Sequence, residues 1–165
     1  MTTEFLEIDV HDGRILAELQ RDARISMAEL GRRVHLSQPA VTERVRKLEL
    51  NGVIKGYRAV VDYQRLGYGI QAMVRIGRAE YARVLKLVEQ TPEVVNAWNV
   101  TGEDSWMLQI AVIDVAHLDA VLSKFCILAE TSTSIVLNAP RENASVLPAR
   151  RENIKPAVRK GQGRS

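Results

Sequence analysis

The chain has 165 residues, 46% apolar and 26% charged, enough for one ordinary domain or two small ones and too apolar for a disordered chain. No apolar run approaches the roughly 18 residues of a membrane helix, and residues 2–14 lack the basic start and apolar core of a signal peptide, so a cytoplasmic protein is expected. A single cysteine, Cys126, excludes an internal disulfide framework and a cysteine-rich zinc site.

The net charge of +3 hides a segregation. Residues 4–31 sum to −4, 32–58 to +5, 59–139 to −3 and 140–165 to +5. Basic blocks at two places predict a polyanionic partner, although a basic tail is often only solubilising.

Apolar residues at Ile8, Ile15, Leu16 and Leu19 predict a first helix, capped by Asp9 with Asp12 in its first turn. Ser26-Met27-Ala28-Glu29 reads as a capping box, and Ile25 with Leu30 as a hydrophobic staple, so a second helix runs to about His35. Ser37 caps a third, with Pro39 in its first turn and Asn51-Gly52 as its stop. Val41, Val45 and Leu48 form its buried stripe.

Only His35 to Ser37 joins the second helix to the third, which is the helix-turn-helix pattern. With the aliphatic stripe inward, the outer face of the third helix carries Gln38, Thr42, Glu43, Arg46 and Lys47, and Ser37 stands at its start. An amide and a guanidinium suit purine edges in a major groove, and a threonine suits a thymine methyl or a phosphate. Arg33, Arg44 and Lys47 are expected as phosphate neutralisers. The bland reading is a three-helix cap with a solvated charged face; the tight turn and the charge segregation favour double-stranded DNA.

The second half alternates at Ile70, Ala72, Val74 and Ile76, a strand, and then repeats Tyr81, Val84, Leu85 and Val88 at helical spacing. Strands are expected over 94–100 and 106–112, a helix at Leu118, Val121, Leu122 and Phe125, and a last strand over 134–139. Strand-helix-strand-strand-helix-strand is the ferredoxin-like order. Trp106, Leu108, Ile110 and Val112 suit the helix-covered face. The other face is expected to carry Met73, Val95, Ala97, Met107, Ala111 and Val136, and a second subunit would cover it. Residues 56–62 read as a short linking strand, Gly67 and Gly69 as loop glycines, and Cys126 as core. No catalytic set and no metal site is expected, since His11, His35 and His117 are scattered.

The run Ile8-Asp9-Val10-His11-Asp12, Asp22-Ala23-Arg24-Ile25-Ser26 and Glu29-Leu30-Gly31 resembles the Lrp/AsnC (leucine-responsive, feast/famine) regulators. So do Leu36-Ser37, Ala40-Val41, Arg44-Val45, Leu48-Glu49 and Gly52-Val53-Ile54, then Gly56-Tyr57, Val61-Asp62, Leu66-Gly67, Val100-Thr101-Gly102 and Ile135-Val136-Leu137. The resemblance implies an α+β chain with a helix-turn-helix (winged-helix-like) domain over 1–56 and a linker over 57–69. A ferredoxin-like βαββαβ sensing domain over 70–140 and a basic tail over 141–165 complete it. It further implies a homodimer that assembles into tetramers or octamers, with no cofactor but an amino-acid effector. The effector loop corresponds to Thr101, Gly102, Glu103, Asp104 and Ser105, with Thr131 and Thr133 as further hydrogen-bonding candidates. The family's usual aspartate, three residues after the glycine, is Ser105 here, preceded by Asp104. Two rival readings remain: a ligand-free protein that organises DNA, and a haem-precursor decarboxylase on the same folds, for which only His117 is present in the second half.

Overall fold

The computed structural model describes residues 8–149 and divides them into two compact units, residues 8–59 with 143–149, and residues 60–142. The expected basic tail therefore starts in the second unit with Arg141 and Glu142 and continues in the first from Asn143. Arg150, Arg151, Lys155, Arg159, Lys160 and Arg164 lie outside the described residues.

The first unit is three helices. In α1 (Val10–Arg21), the Asp9 side chain accepts from the Asp12 N–H at 2.8 Å, and the Asp12 carboxylate accepts from the Asp9 N–H at 3.4 Å, a full capping box. The Asp12 N–H, and then the Arg44 guanidinium, outweigh partial desolvation and hold the Asp9 carboxyl below its ordinary 3.8. The resulting stabilisation is present above about pH 4 and is lost as pH falls through the depressed native value. Thermal melts from about pH 5 to about pH 2 should show a shallower acid limb in Asp9→Asn than in the native chain; equal limbs would count against the cap.

In α2 (Met27–Val34), Ser26 Oγ accepts from the Glu29 N–H at 3.2 Å. The reciprocal half of the expected box is absent. The Glu29 carboxylate takes the Arg32 and Arg33 guanidinium groups instead, because charge-assisted bonds outcompete a neutral amide. His35 closes α2 in the left-handed region (φ 60°), and Leu36 N–H bonds back to the Gly31 carbonyl at 2.9 Å. In α3 (Gln38–Leu50), Ser37 Oγ accepts from the Ala40 N–H. Val41, Val45 and Leu48 join Ile15, Leu19, Ile25, Leu30 and Val34 in one core.

The second unit is a four-stranded antiparallel sheet, β1 (Ile70–Ile76), β2 (Val94–Asn99), β3 (Trp106–Val112) and β4 (Thr131–Ile135), in the order β2-β3-β1-β4. Helices α4 (Tyr81–Glu89) and α5 (Val115–Cys126) cover one face. There Val84, Leu118, Val121 and Phe125 bury Ala72, Val74, Ile76, Trp106, Leu108, Ile110 and Val112. This is the expected ferredoxin-like arrangement.

Several local expectations are corrected. The last strand occupies 131–135 rather than 134–139, because β1 offers partners only from Ile76 to Ala72; one further bond, Val136 N–H to the Gln71 carbonyl, extends the ladder. Residues 56–62 form no strand, since the four strands pair only with one another. A bulge between Val94 and Asn96 inverts the alternation of β2, so Ala97 opposes Leu108 on the helix-covered face and Trp98 opposes Met107 on the open one. The open face is consequently half polar. Across it, Asn96 Nδ2 donates to Gln109 Oε1 at 2.8 Å and Gln109 Nε2 to Gln71 Oε1 at 3.3 Å. Cys126 is exposed, because one residue beyond Phe125 turns it about 100° from the buried stripe. Gly67 has a positive φ of 92°, whereas Gly69 serves close approach: a Cβ there would lie 2.8 Å from the Ile113 carbonyl oxygen.

Candidate functional site

Because the three-residue spacing from Ser37 to Ala40 is one capped turn, α3 starts with its Ala40 amide satisfied and its entry set by the tight connection from α2. Its aliphatic stripe is buried. Gln38, Thr42, Glu43, Arg46 and Lys47 are all exposed along the opposite side, and Ser37 is exposed at its start. Thr42 Oγ1 donates to the Gln38 carbonyl at 2.8 Å, which leaves the oxygen lone pairs and the methyl outward. Arg46 is paired with Glu43 through two bonds, Nε at 2.9 Å and Nη2 at 2.8 Å. That pairing lowers the Glu43 carboxyl and raises the Arg46 guanidinium, although both remain in water. Lys47 Nζ lies 3.9 Å from the same carboxylate.

Arg33 is exposed and Arg44 half-buried, and both are already paired with carboxylates. Arg44 Nη1 donates to Asp9 Oδ2 and to Asp12 Oδ1, both at 2.7 Å, and so bolts α3 to the start of α1. Arg33 bonds Glu18 and Glu29, both at 2.9 Å, tying α2 to α1. These guanidinium groups, raised in pKa by their carboxylate partners, set the helix packing behind the outward face. Nothing in the local sequence signals this, because the acids of α1 look like ordinary first-turn charges. A last unforeseen contact is Tyr57 Oη to Glu49 at 2.9 Å; partial burial and that carboxylate push the phenol up to about 12.

In the second unit the candidate loop crosses one end of the sheet. Gly102 has φ +126°, a conformation that side chains avoid. Ser105 N–H donates to the Ile76 carbonyl at 2.9 Å and its hydroxyl to the Gly77 carbonyl at 2.5 Å, so the loop is fastened to the end of β1. Thr131 opposes Ile76 at that same end and Thr133 opposes Val74 two residues inward, so both lie on the helix-covered face, where Thr131 Oγ1 meets Cys126 Sγ at 3.1 Å, and not on the face of Arg75. Thr101, Glu103 and Gly102 are exposed, and Asp104 is 3.9 Å from Arg75. Arg75, which also donates to Ser132 Oγ at 3.0 Å, is a charged member of this cluster that periodicity placed only as an outward strand residue. Among the described residues the buried Trp106 indole N–H meets no acceptor, and its ring lies tilted by 33° against Tyr81 with centroids 5.1 Å apart. Among the described residues no group of three potential ligands gathers for a metal, and no helix is long and apolar enough to cross a membrane.

Comparison with known proteins covers both units. A family model for an AsnC-type helix-turn-helix domain matches residues 8–49, and one for an Lrp/AsnC ligand binding domain matches residues 71–146. The HTH-type transcriptional regulator LrpC of Bacillus subtilis is 33% identical over 135 residues, 81% of this chain and 94% of its own. A second HTH-type transcriptional regulator, from Mycobacterium tuberculosis, is 42% identical over 71% of this chain and 81% of its own. Among solved structures, a feast-or-famine regulatory protein of M. tuberculosis complexed with L-methionine superposes with a TM-score of 0.79 at 30% identity. That match covers 86% of this chain and all of that one.

Proposed function

The chain belongs to the Lrp/AsnC family of transcriptional regulators, and from that premise we propose that it reads double-stranded DNA with α3 and tunes that binding through an amino acid held at the 101–105 loop. The observation that carries this reading is the segregated α3. Its aliphatic side is fully buried, while Gln38, Thr42, Arg46 and Lys47 stand in solvent on a helix whose entry is capped and rigid. Arg33 and Arg44 act as positioning residues for that helix rather than as its phosphate ligands.

The effector reading is supported by the methionine bound in the related M. tuberculosis protein. Because the Ser105 hydroxyl is neutral, the negative charge for an ammonium group comes from Asp104 or Glu103. Arg75, beside Ser132 on the open face at the same sheet end, is the donor for a carboxylate, whereas Thr131 and Thr133 belong to the helix-covered face. The chemistry is binding, not catalysis, and its setting is the cytoplasm, where the DNA is. The open sheet face, with Met73, Trp98 and Met107 around its amide chain, is proposed as the homodimer contact, from which larger assemblies grow. Sedimentation at micromolar concentration should therefore show no stable monomer; a monomer would remove that contact from the account.

Fluorescence anisotropy with the labelled upstream region of its own gene tests the function directly. Preference over scrambled DNA is expected, with at least one amino acid, L-methionine being the first to try, shifting the affinity by about 5–150-fold. No preference over scrambled DNA would overturn the regulator reading. Superimposable isotherms across all twenty amino acids would overturn the effector half alone.

A further inference from the structure

The outward side of α3 changes character along its length. Ser37, Gln38, Pro39 and Thr42 are exposed and uncharged, whereas the part from Glu43 onward carries the Arg46 and Lys47 cations and the carboxylate they share. Phosphate oxygens attract positive charge, so the uncharged part has little to gain from the backbone of a duplex. It is also the part that faces base edges in helix-turn-helix readers, where the early residues of the motif's second helix, here α3, meet the bases.

Within this part Thr42 has its polar group already engaged. Its hydroxyl hydrogen goes to the Gln38 carbonyl at 2.8 Å, which turns Oγ1 back along its own helix. A hydroxyl has one hydrogen and a phosphate oxygen only accepts, so Thr42 cannot donate to a phosphate without breaking that bond. The γ-methyl is left to meet a partner. Pro39, three residues earlier and exposed as well, is a neighbour on the helix surface and adds no donor or charge. Gln38 and Arg46 stand one turn to either side, and an amide and a guanidinium both suit purine edges. The apolar group that a major groove offers is the C5-methyl of thymine.

We propose that Thr42 is a specificity-determining residue that reads thymine through its γ-methyl, while its hydroxyl fixes the side chain on α3. This rests on the DNA reading proposed above and names a base that α3 selects. Contact between the two methyl groups removes both from water, an effect of about fourfold in affinity for one methyl-sized group. No charge is neutralised, so the effect is the same at every salt concentration.

Uracil replacement provides the test, because it removes the thymine methyl and leaves the hydrogen-bonding edge of the base intact. The upstream region of the chain's own gene, with each thymine in turn replaced by deoxyuridine, is titrated with the native chain, Thr42→Ser and Thr42→Val. Serine keeps the hydroxyl without the methyl; valine keeps the methyl without the hydroxyl. Position 42 is exposed, so both variants should melt with the native chain. At one thymine of each half-site, uracil should weaken the native chain and Thr42→Val by about fourfold. Thr42→Ser should ignore that replacement and bind the unmodified duplex as weakly as the native chain binds the uracil form. A native uracil penalty that persists at every thymine in Thr42→Ser would overturn the proposal, as would the absence of any penalty. Loss of affinity in Thr42→Val with native-like Thr42→Ser would also overturn it, returning the residue to a hydroxyl contact. Failure of the native chain to prefer this duplex over scrambled DNA would instead indict the regulator reading, since a misassigned Thr42 leaves base reading by Arg46 in place.

Discussion

Replacing Gly31 by alanine should destabilise the helical unit by about 1–3 kcal/mol, the usual cost of forcing extra volume into a packed site. Helix propensity alone predicts the opposite sign, since alanine is favoured over glycine by about 1 kcal/mol inside a helix. The reason is the turn. A Cβ at Gly31 would lie 2.7 Å from the Leu36 carbonyl oxygen, a backbone atom that cannot rotate away, and 3.5 Å from the Gln38 nitrogen. Leu36 is itself held by its N–H bond to the Gly31 carbonyl, so relief must come from moving the entry of α3. The substitution should therefore lower both urea resistance and DNA affinity. Gly13→Ala is the matched contrast: its Cβ meets Pro148 at ordinary contact distance, and a gain of up to about 1 kcal/mol is expected. Urea titrations followed by hydrogen exchange in α2 and α3 check both. If Gly31→Ala proved as stable as the native chain, the α2–α3 turn would not be the rigid connection described.

Arg46→Ala should erase about 1–3 kcal/mol of discrimination between operator and scrambled DNA, the worth of one good bidentate base contact. Lys47→Ala should instead weaken both DNAs alike and reduce the salt slope by about one. The two differ because a planar fork reads a purine edge, whereas an ammonium acts as a point charge. Glu43 modulates both. Its carboxylate grips Arg46 through two bonds and stands 3.9 Å from Lys47, so DNA must displace it to engage either cation. Glu43→Gln should accordingly raise affinity for every sequence. Competition titrations with operator and scrambled duplexes, each at three salt concentrations, separate these effects. An unchanged operator-to-scrambled ratio in Arg46→Ala would remove base reading by that residue.

What can be read from the sequence and what cannot divide by range of interaction. The caps at Asp9, Ser26 and Ser37 and the stripe Val41, Val45, Leu48 depend on neighbours within a turn or two, and each is found where the spacing predicts it. The loop at 101–105 and the helix-covered face of β3 follow from equally local alternation. Tertiary structure decided the rest. Arg44 meets Asp12 across 32 residues, and Gln20 meets Val146 across 126, so no local pattern shows that these polar groups are already spent on each other. One bulged residue in β2 moved Ala97 and Trp98 to opposite faces from those that strict alternation assigns, because side-chain parity is a property of the pairing ladder rather than of the strand alone. The sequence by itself thus determined the five helices, the first three strands, the caps at Asp9, Ser26 and Ser37 and the polar face of α3. Which charges remain available on that face, and where the chain's end is held, came only from contacts that folding brings together.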